Sequence, residues 1–233
     1  MSQNWLEFWQ RKNNFDHNMI DNYNCFLSKI EHHIKLSKDL MVLDFGSGPG
    51  HLEDAWHNKV KEIHGADVSE RYNAIAAAKH SNHTNVFFHQ INPNDYLNLS
   101  ILPQIKFDLV IVMSVLQYYK SKEEVKQLIK NLQLHTAPNA TIVLADLIVH
   151  NGMLRDLIGI LYESLKKGKL FSMLGFFIQL RFSKYYYIKK KLGLLVISES
   201  EWKEIIEELQ LNASFISEPI TLQKDRKSLL IKT

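Results

Sequence analysis

Short apolar runs alternate with amphipathic stretches between residues 40 and 148. Apolar runs that end in glycines or polar residues are typical of buried parallel strands, and the amphipathic stretches between them are typical of helices. The predicted strands are residues 41–45, 63–68, 85–91, 107–113 and 140–145. This alternation predicts an α/β fold, with a doubly wound, mostly parallel sheet and helices on both faces.

Local sequence signals place helices between these strands. Ser69 can cap a helix in which Tyr72, Ile75 and Ala76 face inward, because its hydroxyl can accept a hydrogen bond from the first helical turn. A second helix is expected over residues 121–134. Ligands in such a fold bind beyond the carboxyl ends of the strands, so the loops that follow the strands are where function is expected.

The two ends of the chain differ from this central part. Residues 1–39 are expected to form helices, either as simple packing elements or as an aromatic lid over a ligand. One apolar helix face is predicted from the spacing of Trp5, Phe8, Trp9 and Phe15. Towards the other end, residues 138–139 are expected to turn the chain and residues 199–210 to form a helix. Residues 215–218 and 229–232 are expected to form a closing antiparallel pair, which makes seven strands.

Residues 149–196 form an apolar, aromatic and basic segment after the fifth strand. We expect a helical lid that selects the substrate, because loops beyond the strands carry function in this architecture. Extra helices that pack on the sheet are an alternative. Transient contact of residues 165–191 with a membrane surface is another, since lysines and arginines flank the apolar positions. Residues 1–233 are expected to form a single domain.

Composition adds few constraints. The net charge of +3 is too small to indicate a nucleic-acid partner, and 45% hydrophobic with 23% charged residues is ordinary for a globular chain. The single cysteine, Cys25, and an amino-terminal segment unlike a secretory signal favour a cytoplasmic location. The oligomeric state stays open.

The candidate chemistry begins at the segment VLDFGSGPG, residues 42–50. Its glycines permit positive φ and let a ligand approach bare backbone. Asp67 follows the second strand, where a carboxylate can bind both hydroxyls of a ribose. His51 stands where a dinucleotide fingerprint has its third glycine, and no Gly-Lys-Ser/Thr follows, so NAD and P-loop readings are disfavoured.

These motifs resemble those of the class I S-adenosylmethionine-dependent methyltransferases. VLDFGSGPG and GADVS resemble the family's first two motifs, and FDLVIVMSVLQYY, residues 107–119, resembles its fourth-strand motif. The resemblance implies S-adenosyl-L-methionine as the cofactor. It implies that Asp44 orients the cofactor's amino group, that Asp67 binds the ribose and that Val68 lies against the adenine. The remaining implied cofactor residues are Gly46, Ser47, Gly48, Gly50 and Met113.

The third motif departs from the family pattern. Asn92 stands where the family usually has an aspartate that binds the adenine amino group, and Pro93 follows without a backbone N–H. The amide oxygen of Asn92 can still accept a hydrogen bond from that group. An Asn-Pro turn with no role in binding is an equal alternative.

Three residues beyond the fourth and fifth strands are catalytic candidates. His150 is the favoured general base, because an unperturbed histidine can accept a proton near neutral pH. Asp146 and Tyr118 are the others. A solvated loop histidine and a capping aspartate are the alternatives for the first two.

The other histidines do not predict a metal site. His80, His83 and His89 are close in sequence, and His32 and His33 are adjacent, but no carboxylate spacing accompanies them. We therefore expect no metal.

The predicted function is methyl transfer from S-adenosylmethionine to a hydrophobic, aromatic or lipid-like small molecule, at oxygen. A non-catalytic protein that binds the cofactor or a partner on the same fold is the alternative. A nucleic-acid acceptor is disfavoured, because residues 113–116 read MSVL where amino-directed DNA enzymes of this fold carry Asn-Pro-Pro or Asp-Pro-Pro before an aromatic residue.

Overall fold

A computed structural model describes residues 3–11, 16–150 and 184–233. Its helices are α1 (Gln3–Gln10), α2 (Asp16–Ile30), α3 (His51–Trp56), α4 (Glu70–Lys79), α5 (Lys122–Gln133), α6 (Lys184–Leu192) and α7 (Glu199–Glu208). Its strands are β1 (Met41–Phe45), β2 (Glu62–Asp67), β3 (Val86–Gln90), β4 (Phe107–Met113), β5 (Thr136–Leu147), β6 (Asn212–Phe215) and β7 (Lys227–Lys232). Phe15 and most of the predicted lid, residues 151–183, lie outside the described residues.

The seven strands form one sheet in the order β3-β2-β1-β4-β5-β7-β6. Strands β1 to β5 pair in parallel, and β7 pairs antiparallel with both β5 and β6. Strand β1 lies between β2 and β4, so the strand order reverses there and a crevice opens at its carboxyl end. The predicted fold class is therefore confirmed.

Apolar residues cover both faces of the sheet. Helices α2 and α3 cover one face through fully buried side chains such as Phe26 and Trp56. Helices α5 and α7 cover the other through residues such as Leu128 and Trp202. Burial on both faces is why β1 and β4 read as continuous apolar runs rather than alternating ones.

The N-terminal helix α1 packs on the second face. Trp5 and Phe8 are 2% and 4% exposed, respectively, and belong to the same apolar cluster as β1 and α5. The predicted apolar face of α1 is therefore real, and it carries Trp9 to the carboxyl edge of the sheet. No helix among residues 3–11, 16–150 and 184–233 is long and apolar enough to cross a membrane.

Three local predictions differ from the structure. Ser69 caps α4 as expected, and Tyr72 and Ala76 are buried, but Ile75 is 40% exposed because it lies about 100° around the helix from Ala76. Residues 138–139 do not precede the fifth strand. They form an irregular start of β5, with Asn139 at φ 64° and its N–H bonded to the Thr233 carbonyl.

The closing pair also differs in position. Strand β6 spans Asn212–Phe215 rather than residues 215–218, and Phe215 pairs with Leu229. β6 is an edge strand that only β7 holds, so Asn212, Ala213 and Ser214 need no strong apolar pattern. That weak pattern is why the prediction from the sequence places β6 too far along the chain.

Candidate functional site

A cavity of about 470 Å³ lies at the carboxyl ends of β1, β2 and β4. Its wall includes the loop after β1, the end of β2, the segment after β4 and one side of α2. Residues 222–223, which precede β7, close another side. The volume is in the range of small-molecule and cofactor sites, and the position is the switch point of the sheet.

The loop after β1 forms the floor of this cavity. Gly46 has φ +83°, and a Cβ built on it would lie 2.2 Å from Cγ2 of Val115. Only glycine fits there, because the backbone conformation and the contact both exclude a side chain. The N–H of Gly46 donates to the Ala66 carbonyl over 2.7 Å, which holds the loop against the end of β2.

Asp67 at the end of β2 is held in one orientation by backbone donors. The N–H groups of Gly48 and Ser69 donate to its two carboxylate oxygens over 2.9 and 2.7 Å. Burial raises the pKa of Asp67, and these hydrogen bonds oppose the rise. Each carboxylate oxygen has further acceptor capacity, so the fixed carboxylate can still accept from the two hydroxyls of a ribose.

Asp44, near the end of β1, is a buried acid without a partner. It is 0% exposed, and neither carboxylate oxygen has a hydrogen-bond partner among the described residues. Burial, followed by the nearby charge of Asp67, raises the pKa of Asp44 well above its ordinary value. A buried carboxylate in this state is suited to an incoming cationic group, which would supply the missing charge and donors.

A polar chain links α2 to the ends of β4 and β5. Nδ2 of Asn22 donates to Oγ of Ser114 over 3.3 Å, and that Oγ donates to Oδ2 of Asp146 over 2.7 Å. The N–H of Leu222 donates to Oδ1 of Asn22 over 3.0 Å. These hydrogen bonds therefore tie four separate segments together where Ser114 lines the cavity.

Asp146 lies behind Ser114 rather than in the cavity wall. It is 8% exposed, and its Oδ1 has no hydrogen-bond partner among the described residues. Burial raises the pKa of Asp146, while Arg226 and the hydroxyls of Ser114 and Thr221 oppose the rise. A carboxylate with a raised pKa is better matched to accepting a proton near neutral pH than an ordinary one.

Aromatic rings form much of the remaining wall. The ring of Trp9 meets those of Tyr118 and Tyr72 at centroid distances of 5.3 and 6.3 Å. Tyr96 and Tyr119 meet edge to face at 5.5 Å, and the hydroxyl of Tyr96 donates to Glu124 over 2.7 Å. The wall is therefore apolar and well packed, as expected for a site that binds planar groups.

The structure brings together most of the residues predicted from the sequence. The predicted residues that line the cavity are Gly46, Gly48, Asp67, Val68, Met113 and Tyr118. Asp44 and Ser47 are fully buried beneath the loop, and Gly50 begins α3 from a left-handed conformation. Their roles in binding the cofactor and in catalysis stay predictions, but these residues lie in or next to one cavity.

Two predicted residues lie apart from the cavity. Asn92 is exposed, and its Oδ1 accepts from the N–H of Asn94 over 2.9 Å, so its oxygen already caps a local turn. His150 is exposed and does not line the cavity. Their predicted roles in adenine binding and proton transfer gain no support from this geometry.

Sequence reasoning did not single out Asn22, Ser114 or Glu53. Ser114 follows β4 directly, which is a weak signal for a site, and Asn22 carries none. Glu53 on α3 is 0% exposed, and neither of its carboxylate oxygens has a partner among the described residues. An acid at an inward position of a helix that packs on β2 is a signal that could have been found.

Several of the histidines contact one another. His64 stacks on His89 with 2° between the rings, and His80 lies 3.0 Å from His83 between their Nδ1 atoms. In the part of the chain that the structure describes, no group of three or more histidine, cysteine or acidic residues could hold a metal ion.

Comparison with known proteins agrees with this geometry. A family model described as "Methyltransferase domain" matches residues 43–142. One curated relative is a probable non-canonical nonribosomal peptide synthetase, CymA, of Salinispora arenicola. It is 30% identical over 118 residues, which are 49% of this chain and 1% of that protein. This chain thus spans only a very small part of that relative's length.

Solved methyltransferases share the fold. The N-methyltransferase NodS from Bradyrhizobium japonicum, in complex with S-adenosyl-L-homocysteine, superposes with a TM-score of 0.58 at 15% identity, over 98% of this chain and 95% of NodS. Magnesium protoporphyrin IX methyltransferase from Synechocystis gives 0.56 at 15% identity, over 98% and 91%. Residues 43–142 therefore form a methyltransferase domain, and the fold is that of solved S-adenosylmethionine-dependent methyltransferases.

The residues present fit S-adenosyl-L-methionine, the cofactor of methyltransferases with this fold. Asp44 is an unpartnered buried acid suited to an ammonium group, and Asp67 is a fixed carboxylate suited to two hydroxyls. Gly46 and Gly48 line the cavity with backbone rather than side chains. Together they match the amino acid and ribose portions of S-adenosyl-L-methionine.

Proposed function

We propose that this protein transfers the methyl group of S-adenosyl-L-methionine to an oxygen of a hydrophobic small molecule. One observation carries the proposal. The same cavity joins the glycine loop and Asp67 to an aromatic wall and to Ser114, which is bonded to the buried Asp146. Cofactor chemistry, apolar binding and a route for a proton are therefore combined in one site.

Each cofactor group has a residue suited to hold it. Asp44 binds the amino group, Asp67 binds the ribose hydroxyls, and the backbone at Gly46 and Gly48 faces the ligand. When bound, S-adenosylmethionine supplies an electrophilic methyl group on its sulfonium. The protein must then hold the acceptor oxygen in line with that methyl group and exclude water.

Ser114 is placed to receive the acceptor's proton. Ser114 lines the cavity and its Oγ already donates to Oδ2 of Asp146, so this hydroxyl can accept a proton from the acceptor hydroxyl while passing its own to Asp146. The raised pKa of Asp146 suits it as the final proton acceptor. Asn22 holds Ser114 in place by its hydrogen bond. Asp146 therefore replaces the exposed His150 as our favoured base.

The acceptor is proposed to be apolar around the reacting oxygen. Met19, Met113 and Leu222 contribute apolar surface to the cavity near the polar chain of Asn22 and Ser114. A magnesium protoporphyrin IX methyltransferase shares the fold, which supports a hydrophobic acceptor; NodS, an N-methyltransferase, makes an amine the competing outcome.

The test has two stages. Isothermal titration with S-adenosylhomocysteine should show binding, and the absence of binding would remove the proposal entirely. Turnover is then measured as S-adenosylhomocysteine release with pairs of acceptors that differ only at the reacting atom, such as an alkylphenol and the matching alkylaniline. Methylation of the phenol alone supports transfer to oxygen, and methylation of the aniline alone refutes it. Binding without turnover across a broad panel of acceptors favours the non-catalytic alternative.

The proposed lid is residues 149–196 and the proposed membrane contact is residues 165–191, and residues 151–183 lie outside the described residues. Deletion of residues 165–190 is expected to abolish turnover and preserve cofactor binding. Sedimentation with anionic liposomes tests the proposed membrane contact, and protein that stays in the supernatant counts against it.

A further inference from the structure

The residue expected to bind adenine, Asn92, does not line the cavity. Its Oδ1 accepts from the N–H of Asn94, and the side chain is exposed. Adenine is bonded directly to the ribose, so a ribose bound by Asp67 places the base close to that carboxylate. Another wall is therefore needed for the base, and it has to be near the residues that follow Asp67.

Helix α1 is tied to that segment by three hydrogen bonds. Nε2 of Gln10 donates to the Val68 carbonyl over 3.0 Å, and the N–H of Glu70 donates to Oε1 of Gln10 over 3.0 Å. Oγ of Ser69 donates to the Trp9 carbonyl over 2.8 Å. The end of α1 is thus fixed to residues 68–70, immediately after Asp67.

These contacts put Trp9 into the cavity wall. The cavity is lined by Trp9, Val68 and Ile91 among its apolar residues, and the N–H of Ile91 donates to the Asp67 carbonyl over 2.9 Å. Phe8 and Tyr118 hold the indole edge to face at 4.9 and 5.3 Å between centroids. A large aromatic ring is therefore packed in place in the same cavity as Asp67.

The serine that caps α4 also sets this arrangement. Oγ of Ser69 accepts from the N–H of Tyr72 and donates to the Trp9 carbonyl, so one hydroxyl joins the start of α4 to the end of α1. The N–H of Ser69 meanwhile donates to Asp67. Ser69 therefore contacts both Asp67 and the backbone of Trp9.

We propose that α1 is part of the cofactor site, and that Trp9 forms a stacking wall for the adenine of S-adenosylmethionine, held in place by Gln10 and Ser69. This inference rests on the proposed function. Recognition of the base comes from contact with an aromatic face rather than from a hydrogen bond to Asn92. Such stacking binds purines well, because every base presents a polarisable face.

The test compares a ligand that has the base with one that lacks it. The Kd values of S-adenosylhomocysteine and S-ribosylhomocysteine are measured by calorimetry, directly or by competition, for the wild type, Trp9→Ala, Trp9→Phe and Asn92→Ala. Trp9→Ala should weaken S-adenosylhomocysteine about 5- to 100-fold, the range for loss of base–aromatic stacking. It should leave S-ribosylhomocysteine within about twofold. Trp9→Phe should retain most of the affinity, and Asn92→Ala should change it less than about twofold.

Fluorescence gives an independent readout. The chain has four tryptophans, of which Trp56 and Trp202 are fully buried in the two cores. S-adenosylhomocysteine should quench the emission of the wild type, and this quenching should be lost in Trp9→Phe but kept in Trp202→Phe.

The outcomes distinguish failure of the proposed role of Trp9 from failure of the proposed methyltransferase function. If the wild type binds S-adenosylhomocysteine and Trp9→Ala binds it equally well, Trp9 is not the wall. Equal weakening of both ligands also overturns the proposal, because it indicates a structural role for Trp9. If the wild type binds neither ligand, the proposed function fails together with this inference.

Discussion

Ser114 and Asp146 stand at the ends of neighbouring parallel strands and are joined by a hydrogen bond of 2.7 Å. Both have positive φ, 58° and 65°, which is uncommon for residues other than glycine. Strained backbone at two adjacent strand ends requires support from its surroundings and occurs most often at functional sites. Here the polar chain through Asn22 provides such support.

Replacement of Asp146 tests the proposed proton route. Asp146→Asn removes the proton acceptor and nearly preserves the shape, so kcat should fall about 10²- to 10⁴-fold, the range for loss of a general base. The affinity for S-adenosylhomocysteine should change little, because Asp146 does not line the cavity. The matched control is Asp39→Asn, an exposed aspartate after α2, which should keep full activity.

The pH dependence of kcat/KM in the wild type and in Asp146→Asn gives a second readout. The carboxylate form of Asp146 is the active one, and burial raises its pKa above the ordinary 3.8. Wild-type kcat/KM should therefore fall as the pH is lowered through that raised pKa, and the residual activity of Asp146→Asn should lack this acid limb. The same acid limb in both proteins would assign the titration to another group and contradict the route.

Local patterns explain which parts were predictable from the sequence. β1 and its glycines are encoded within ten consecutive residues, and Asp67 lies in the GADVS segment that follows. The fold class, the binding edge of the sheet and the half of the site around Gly46 and Asp67 follow from these short signals. At Asn92 the sequence leaves an adenine contact and an Asn-Pro turn open, and in the structure its Oδ1 accepts from the N–H of Asn94. Its role in adenine binding stays a prediction.

The remaining half of the site depends on contacts between distant residues. Asn22 and Ser114 are 92 positions apart, and each is an ordinary polar residue in its own segment. The positive φ of Ser114 cannot be read from its residue type, since serine rarely adopts it. Tertiary packing creates the Asn22–Ser114 hydrogen bond and the positive φ of Ser114, so no local sequence pattern indicates them.

The contact between Gly46 and Val115 should make Gly46→Ala strongly destabilising. A Cβ there meets Val115 at 2.2 Å in addition to the cost of positive φ. Gly193 provides a matched control, because it has φ +73° and a Cβ on it would have no atom of the described residues within 4 Å. Gly193→Ala should cost about 1–2 kcal/mol from backbone strain alone.

Gly46→Ala should cost about 1–3 kcal/mol more than Gly193→Ala, from overpacking. Urea unfolding measures both. The double variant Gly46→Ala/Val115→Ala should recover part of that excess. Equal losses for the two single alanine variants would show that Val115 moves aside freely.

Glu53 should lower the stability of the fold at neutral pH. It is fully buried, a Cβ on Gly65 would lie 2.6 Å from its Oε1, and burial followed by Asp44 raises its pKa well above 4.5. An acid with a raised folded-state pKa binds more protons folded than unfolded, so its destabilising effect is absent at low pH. The effect grows as the pH rises from the ordinary value through the raised one.

Glu53→Met should therefore stabilise the protein by about 1–3 kcal/mol at pH 8, and by less at pH 5. Urea unfolding at both values is the measurement, with Glu207→Met, an exposed position on α7, as the control. A variant that is less stable than the wild type at both pH values would indicate that Glu53 has a favourable partner.

The stacked pair of His64 and His89 should make the fold sensitive to mild acid. Burial, followed by the charge of His64, lowers the pKa of His89 to about 4, and burial lowers that of His64 against the opposing carboxylate of Glu62. The unfolded chain binds a proton at His89 below pH 6.5, whereas the folded chain does not until about 4. The stability from neutral His89 is thus complete above pH 6.5 and is lost as the pH falls towards 4.

His89→Phe tests this sensitivity, because it keeps an aromatic ring beside His64 without the titration. Between pH 7.5 and 5, the wild type should lose about 1 kcal/mol more than this variant, a value reduced by the partial exposure of His89. Urea unfolding at the two pH values measures the difference, and an NMR titration of His89 checks its pKa directly. Equal losses in the two proteins, or a His89 pKa at the ordinary value of 6.5, would contradict the prediction.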